Sequence, residues 1–168
     1  LEHSVYLFAD EEQDLPENLA ALQHGPRIIA CPGSTWCSRG ISDSREAERG
    51  IRETLPDESN LLIGISGCPN NCAHAAVADI GLTGRMVRNN GEKTPGFRMV
   101  AGGDQGRGPG LASEIHPAVP AEVVPDVVAD IATEYNEATD ESEQFAQFAT
   151  RSKERLSELV QQASLESP

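Results

Sequence analysis

Four cysteines in two close pairs are the residues of this sequence best suited to chemistry: Cys31-Pro-Gly-Ser-Thr-Trp-Cys37 and Cys68-Pro-Asn-Asn-Cys72. Three kinds of site use such pairs, namely disulfides, a zinc ion and an iron-sulfur cluster. Disulfides persist mainly in oxidising compartments, and the sequence reads as intracellular, which disfavours them. Zinc pairs are usually about two to four residues apart on tight turns, so the five residues between Cys31 and Cys37 are wide for it. A cubane cluster is larger than one ion and spans ligands on a looser loop. If Pro69 opens a helix, Cys68 and Cys72 converge on one face. The N–H groups of that first turn would then favour thiolates through their partial positive charge. Gly67 would let the chain turn sharply before it.

The elements around the pairs would place them at strand ends. Residues 27–30 (RIIA) read as a buried strand running into Cys31. Residues 42–55 begin with capping residues and acids, put Ala47, Ile51 and Leu55 at helical spacing, and stop before Pro56, which predicts a helix. Residues 61–65 (LLIGI) read as a second buried strand ending just before Cys68. Residues 77–82 and 97–101 read as further strands, with Asn89-Asn90-Gly91 as a hairpin turn between them. Residues 4–8 read as a short strand and 14–22 as a helical turn. Residues 102–120, crowded with Gly and Pro, read as a loop. From Ala121 onward the pattern is helical: Val123, Val124, Val127, Val128, Ile131 and Tyr135 share a face, and Phe145, Phe148, Leu156, Leu159 and Val160 continue it in two shorter helices.

The length of 168 residues suits one domain with a core of its own. A net charge of -14 disfavours nucleic acid, which is held mainly by Lys and Arg, and an anionic membrane surface as well. No apolar run reaches the roughly 20 residues of a spanning helix, and no basic start precedes an apolar signal segment. A soluble, cytoplasmic protein is therefore expected. The first residue is Leu1 and not Met, which suits a fragment.

The stretches ACPGSTWCSRG (residues 30–40) and SGCPNNCAHAAVADIGLTG (residues 66–84) together resemble the cluster-binding signature of the sirohaem-dependent nitrite and sulfite reductases. The likeness runs from about residue 27 to 159. It implies an α+β fold, a mixed β-sheet covered by helices, with residues 1–24 unassigned, 25–138 as the reductase domain and 139–168 as helices packing on it. It implies that Cys31, Cys37, Cys68 and Cys72 hold a 4Fe-4S cluster. It also implies that Cys72 bridges to the iron of sirohaem and that Asn70 lies beside the macrocycle. The reaction would be the six-electron reduction of nitrite to ammonia or of sulfite to sulfide, with electrons from ferredoxin or a flavoprotein.

In this family the anion-binding basic residues come largely from a remaining reductase half, so no catalytic residue is assigned here. Arg39, Arg85, Arg88, Lys93, Arg98 and Arg107 are candidates for sirohaem carboxylates or are solvated surface groups. His74 reads as a polar residue of a short helix or as exposed, not as a ligand. Trp36 reads as packing over the cluster or as ordinary core. Two alternatives stand beside this one: an enzyme like precorrin-3B synthase, which shares this type of cysteine pattern, and a non-catalytic interaction module stabilised by zinc or a cluster.

Overall fold

A computed structural model describes residues 26–56, 59–89, 91–104, 110–139 and 143–166; the expected elements at 4–8 and 14–22 lie outside these. Among the described residues five strands form one sheet in the order β1-β2-β3-β4-β5: β1 (Arg27–Ala30), β2 (Leu62–Ser66), β3 (Ile80–Asn89), β4 (Glu92–Ala101) and β5 (Ser113–Pro120). The first three run parallel and the last three antiparallel, so the sheet is mixed as expected.

The helices are a single turn α1 (Gly33–Trp36), then α2 (Ser44–Thr54), α3 (Val124–Ala138), α4 (Phe145–Arg151) and α5 (Lys153–Glu166). Their apolar sides meet one face of the sheet. Ala47, Ile51, Val127, Val128, Phe148, Leu156 and Val160 form one core with Ile63, Ile65, Ile80, Leu82, Phe97 and Met99. This arrangement, α+β with a mixed sheet under helices, is the fold that the resemblance implied. No helix among the described residues is long and apolar enough to cross a membrane.

Local chemistry explains the elements that frame the cysteines. Asp43 caps α2, its Oδ1 accepting the N–H groups of Arg45 at 3.0 Å and Glu46 at 3.1 Å. Such a cap contributes about 1 kcal/mol. The Thr35 hydroxyl donates to the same carboxylate, and this bond above all holds Asp43 below the usual carboxylate range. The cap thus ties α2 to the loop that contains Cys37. Asn89 pairs with Glu92 across the hairpin, with Gly91 in the left-handed region at φ 85°.

Four expectations are corrected. Arg27–Ala30 is a strand, but as an edge strand it is only partly buried. The strand placed at 77–82 begins at Ile80, because Ala75–Val77 form a 3₁₀ turn. The supposed loop at 102–120 contains β5, an edge strand in which Pro117 and Pro120 are tolerated because one side of an edge needs no N–H donor. The last helical region opens with a 3₁₀ turn at Ala121–Val123 before α3 begins at Val124 with Pro125 in its first turn.

Candidate metal centre

Both cysteine pairs leave the carboxyl ends of neighbouring parallel strands, Cys31 after β1 and Cys68 two residues after β2. Two loops are thereby brought side by side. Their backbones touch: a Cβ on Gly67 would stand 2.9 Å from the Gly33 Cα and 2.7 Å from the Ser42 carbonyl oxygen. Ile41 and Ser42 both donate their N–H to the Gly67 carbonyl, at 2.8 and 3.0 Å. Ser42, fully buried, also donates its hydroxyl to the Gly96 carbonyl on β4 at 2.6 Å. The loops are therefore one packed unit on the sheet.

The Cys68 loop is not the helix that Pro69 was expected to open. Asn71 and His74 take left-handed φ values of 55° and 52°, which break any α-helical run, and residues 69–70 form a turn. Asn71 stabilises this path by accepting the Ala75 N–H on its Oδ1 at 2.8 Å. Ser66 adds a second hold, accepting the Ala73 N–H at 3.0 Å. Beyond the turn the chain lies flat on the sheet, close enough that a Cβ on Gly81 would meet the Ala75 carbonyl oxygen at 2.0 Å.

The backbone donor aimed at sulfur comes from elsewhere. The Gly67 N–H donates to Cys31 Sγ at 3.1 Å, from one loop to a cysteine of the other. Ser44, also fully buried, stands 3.5 Å from the same sulfur and donates to the Cys31 carbonyl at 2.7 Å. Burial pushes the Cys31 thiol up. The N–H of Gly67, the Ser44 hydroxyl and the N–H groups of Gly33 and of Cys31 itself outweigh it, so the thiol lies below its ordinary value. A site that stabilises thiolate before any metal is bound suits a ligand.

The four cysteines differ in access. Cys68 is buried, Cys31 and Cys37 are half-buried, and Cys72 is exposed; none is in a disulfide. Asn70 is exposed beside Cys72, and His74 is exposed as well. Trp36 is 81% exposed, so it is not core packing: the single turn α1 carries it outward. Among the described residues, no three His, Cys, Asp or Glu side chains group closely enough to hold one metal ion. A cluster does not need that convergence, because each thiolate takes a different iron.

A cleft of about 400 Å³ opens beside the Cys68 turn, lined by Pro69, Asn71, Thr83, Arg85 and Arg98. Arg98 pairs with Glu114, and Arg85 donates to the Pro117 carbonyl at 2.8 Å. Of the basic residues singled out in the sequence, these two reach the turn; Arg107 lies outside the described residues. Sequence reasoning missed Ser42, Ser44, Ser66 and Asn71, whose roles depend on contacts across the fold. The signals available were small polar residues near each pair, with Gly40 shortly after the first and Gly67 directly before the second.

Comparison with known proteins gives three kinds of match. The nitrite and sulphite reductase 4Fe-4S domain matches residues 26–167. The chain is 31% identical to sulfite reductase [ferredoxin] 2 of Mycolicibacterium paratuberculosis over 138 residues, 76% of this chain and 25% of that protein. It is 32% identical to ferredoxin--nitrite reductase of Synechococcus elongatus over 110 residues, 63% of this chain and 22% of that protein. Among solved structures, Mycobacterium tuberculosis NirA protein aligns with a TM-score of 0.63 and 25% identity, over 74% of this chain and 25% of that one. Dissimilatory sulfite reductase I shares the fold at a TM-score of 0.64 and 14% identity, over 86% of this chain and 54% of that one. The chain thus spans a quarter or less of the curated relatives' length.

Proposed function

The chain belongs to the nitrite and sulphite reductase 4Fe-4S domain family, and from that premise we propose that it is the cluster-holding part of a larger nitrite or sulfite reductase. Cys31, Cys37, Cys68 and Cys72 are the four ligands, and Cys72 also ligates the iron of sirohaem. The observation that carries this reading is the Gly67 N–H on Cys31 Sγ, which joins the two cysteine loops at a sulfur. The donor set agrees: soft thiolates suit iron-sulfur chemistry, and hydrogen bonds to sulfur tune it.

When bound, the cluster supplies one-electron relay and sirohaem an open iron for the anion, which together serve a six-electron reduction of nitrite or sulfite. The chain's own residues do the holding. Burial of Cys68 and half-burial of Cys31 limit the access of water to those ligands, and the exposed Cys72 leaves its sulfur accessible to a second cofactor. Asn70, exposed next to it, would lie against the macrocycle. The anion-binding groups come from the rest of the longer protein, and ferredoxin or a flavoprotein supplies the electrons. On this reading the protein belongs to the cytoplasm, a reducing compartment in which cysteines stay available as ligands.

The test is anaerobic reconstitution followed by iron, sulfide and zinc analysis. Brown protein with a broad band at about 400 nm and bound sulfide is the expected result. Zinc alone would refute the reading. In Cys72→Ser the hydroxyl is a poor substitute for the thiolate, so sirohaem coupling is lost and the cluster becomes labile. An unchanged cluster spectrum in that variant would overturn the assignment of Cys72.

A further inference from the structure

Cys31 is set apart from the other three cysteines by what surrounds its sulfur. Besides the Gly67 N–H at 3.1 Å, its Sγ has the Ser44 oxygen at 3.5 Å. Ser44 is fully buried at the first position of α2, next to the capping Asp43, so its hydroxyl has no water to turn to. It is confined further by Gly33, where an added Cβ would meet Ser44 Oγ at 2.6 Å. The hydroxyl has one proton and two neighbouring acceptors, the Cys31 carbonyl at 2.7 Å and the Cys31 sulfur. With a neutral thiol the S–H can donate to the Ser44 oxygen while the hydroxyl donates to the carbonyl. Once the sulfur is anionic, the hydroxyl gains by rotating towards it, because a hydrogen bond to a charged acceptor is roughly twice as strong as a neutral one.

We infer that Ser44 is the positioning residue of the ligand Cys31: its hydroxyl fixes the side chain through the carbonyl bond and donates to the sulfur when this carries charge. The inference rests on the cluster reading proposed above. Added electrons on a cluster raise the negative charge on its sulfurs, so a donor at Cys31 favours the reduced state. Ser44 therefore raises the reduction potential, a role that a purely structural serine would not have.

Ser42 provides the comparison. It is equally buried and also donates to a backbone carbonyl, that of Gly96, but the bond is to β4 and not to Cys31. The reconstituted chain is titrated under argon with its reduced cluster followed by electron paramagnetic resonance. In Ser44→Ala the reduced fraction at a fixed potential near the midpoint falls about tenfold in ratio, which is about 59 mV for one electron. In Ser42→Ala the midpoint stays where it was, although the fold loosens. An unmoved midpoint in Ser44→Ala overturns the inference while leaving the cluster reading intact. So does an equal shift in Ser42→Ala, which would assign the effect to loop packing.

A second measurement needs no cluster. In the metal-free chain, the S–H stretching band of Cys31 in the Raman spectrum, identified by its loss in Cys31→Ala, moves towards that of a free thiol in Ser44→Ala. If the chain takes up no cluster, the reading above fails. The band then still decides the contact, supporting it by moving and overturning it by staying.

Discussion

Gly84 tests most directly whether the packing of the two loops on the sheet is what holds the site. It lies on β3 opposite Phe97, without any need for a left-handed backbone. What it allows is proximity: a Cβ there would stand 2.2 Å from the Gly67 carbonyl oxygen and 2.4 Å from its carbon. Such contacts stay at 3.0 Å or more, so Gly84→Ala must drive the strand and the loop apart by about 0.8 Å. The obstacle is backbone, which cannot rotate away as a side chain would. Overpacking of this kind costs about 1–3 kcal/mol, and the upper end applies where backbone meets Cβ. For a chain of this size a loss of about 3 kcal/mol lowers the Tm by roughly 6–12 °C.

The displacement has a direction as well as a magnitude. Gly67 must retreat from the strand, and it carries both the N–H on Cys31 Sγ and the carbonyl that holds Ile41 and Ser42. Iron bound per chain after reconstitution therefore falls with the Tm. Gly91→Ala is the matched control: it has φ +85° and no atom within 4 Å of the added carbon, so it costs about 1–2 kcal/mol of left-handed strain and leaves the loops alone. Calorimetry and iron analysis of the two variants decide. A Gly84→Ala protein as stable as its parent, or one that keeps full iron while Gly91→Ala loses it, would refute the reasoning.

Two further predictions concern the rest of the fold. Burial pushes the His116 imidazolium below its ordinary 6.5, and its Nδ1 accepts the Ala118 N–H at 3.2 Å. Above pH 6.5 both folded and unfolded chains are neutral at this group and its contribution is complete. As the pH falls from 6.5 towards the lower folded value the unfolded chain takes up the proton first, so stability is lost over that interval and no further below it. His116→Gln should show a flatter Tm between about pH 7 and 5; a parallel curve would show that His116 has no part in it. In Tyr135→Phe the ring keeps its contacts with Phe145 and Phe148, each at 5.2 Å, but the hydroxyl bond to the Glu143 carbonyl at 2.7 Å is lost. Denaturant unfolding should give a loss of about 1 kcal/mol, and no loss would mean that water replaces the bond fully.

What the sequence made legible were features fixed by neighbours along the chain. Asp43 followed by acids and an apolar stripe defines α2, the run LIGIS defines a strand buried on both faces, and Asn-Asn-Gly defines a hairpin. The cysteine spacing belongs to the same class. What stayed hidden depends on residues far apart in sequence. β5 has too few apolar residues and too many prolines to read as a strand, yet β4 supplies it with partners from Gly96 to Ala101. Pro69 looks like a helix start, but Asn71 and Ser66 offer the backbone other partners first. Trp36, between two cysteines, has the composition of a core residue and the geometry of a surface one.

The exposed residues follow a pattern that bears on the length of the chain. The parts of the site that this chain closes are the inner ones: Cys68, Ser42, Ser44 and Ser66 are all buried, and the three serine hydroxyls find partners within the loops and the sheet. The parts left open are Cys72, Asn70 and Trp36, together with the cleft flanked by Arg85 and Arg98. An aromatic ring 81% exposed and a thiol at the surface are poorly suited to water, the first by its apolar area and the second by its reactivity. Relatives of which this chain covers a quarter or less provide a physical explanation, since a larger protein has other elements to cover these groups. Under the proposed function, the holding of the cluster by Cys31 and Cys68 is a property of this chain, and it should persist in isolation. The environment of Cys72 is not, and sirohaem should bind weakly or not at all until the covering elements are supplied.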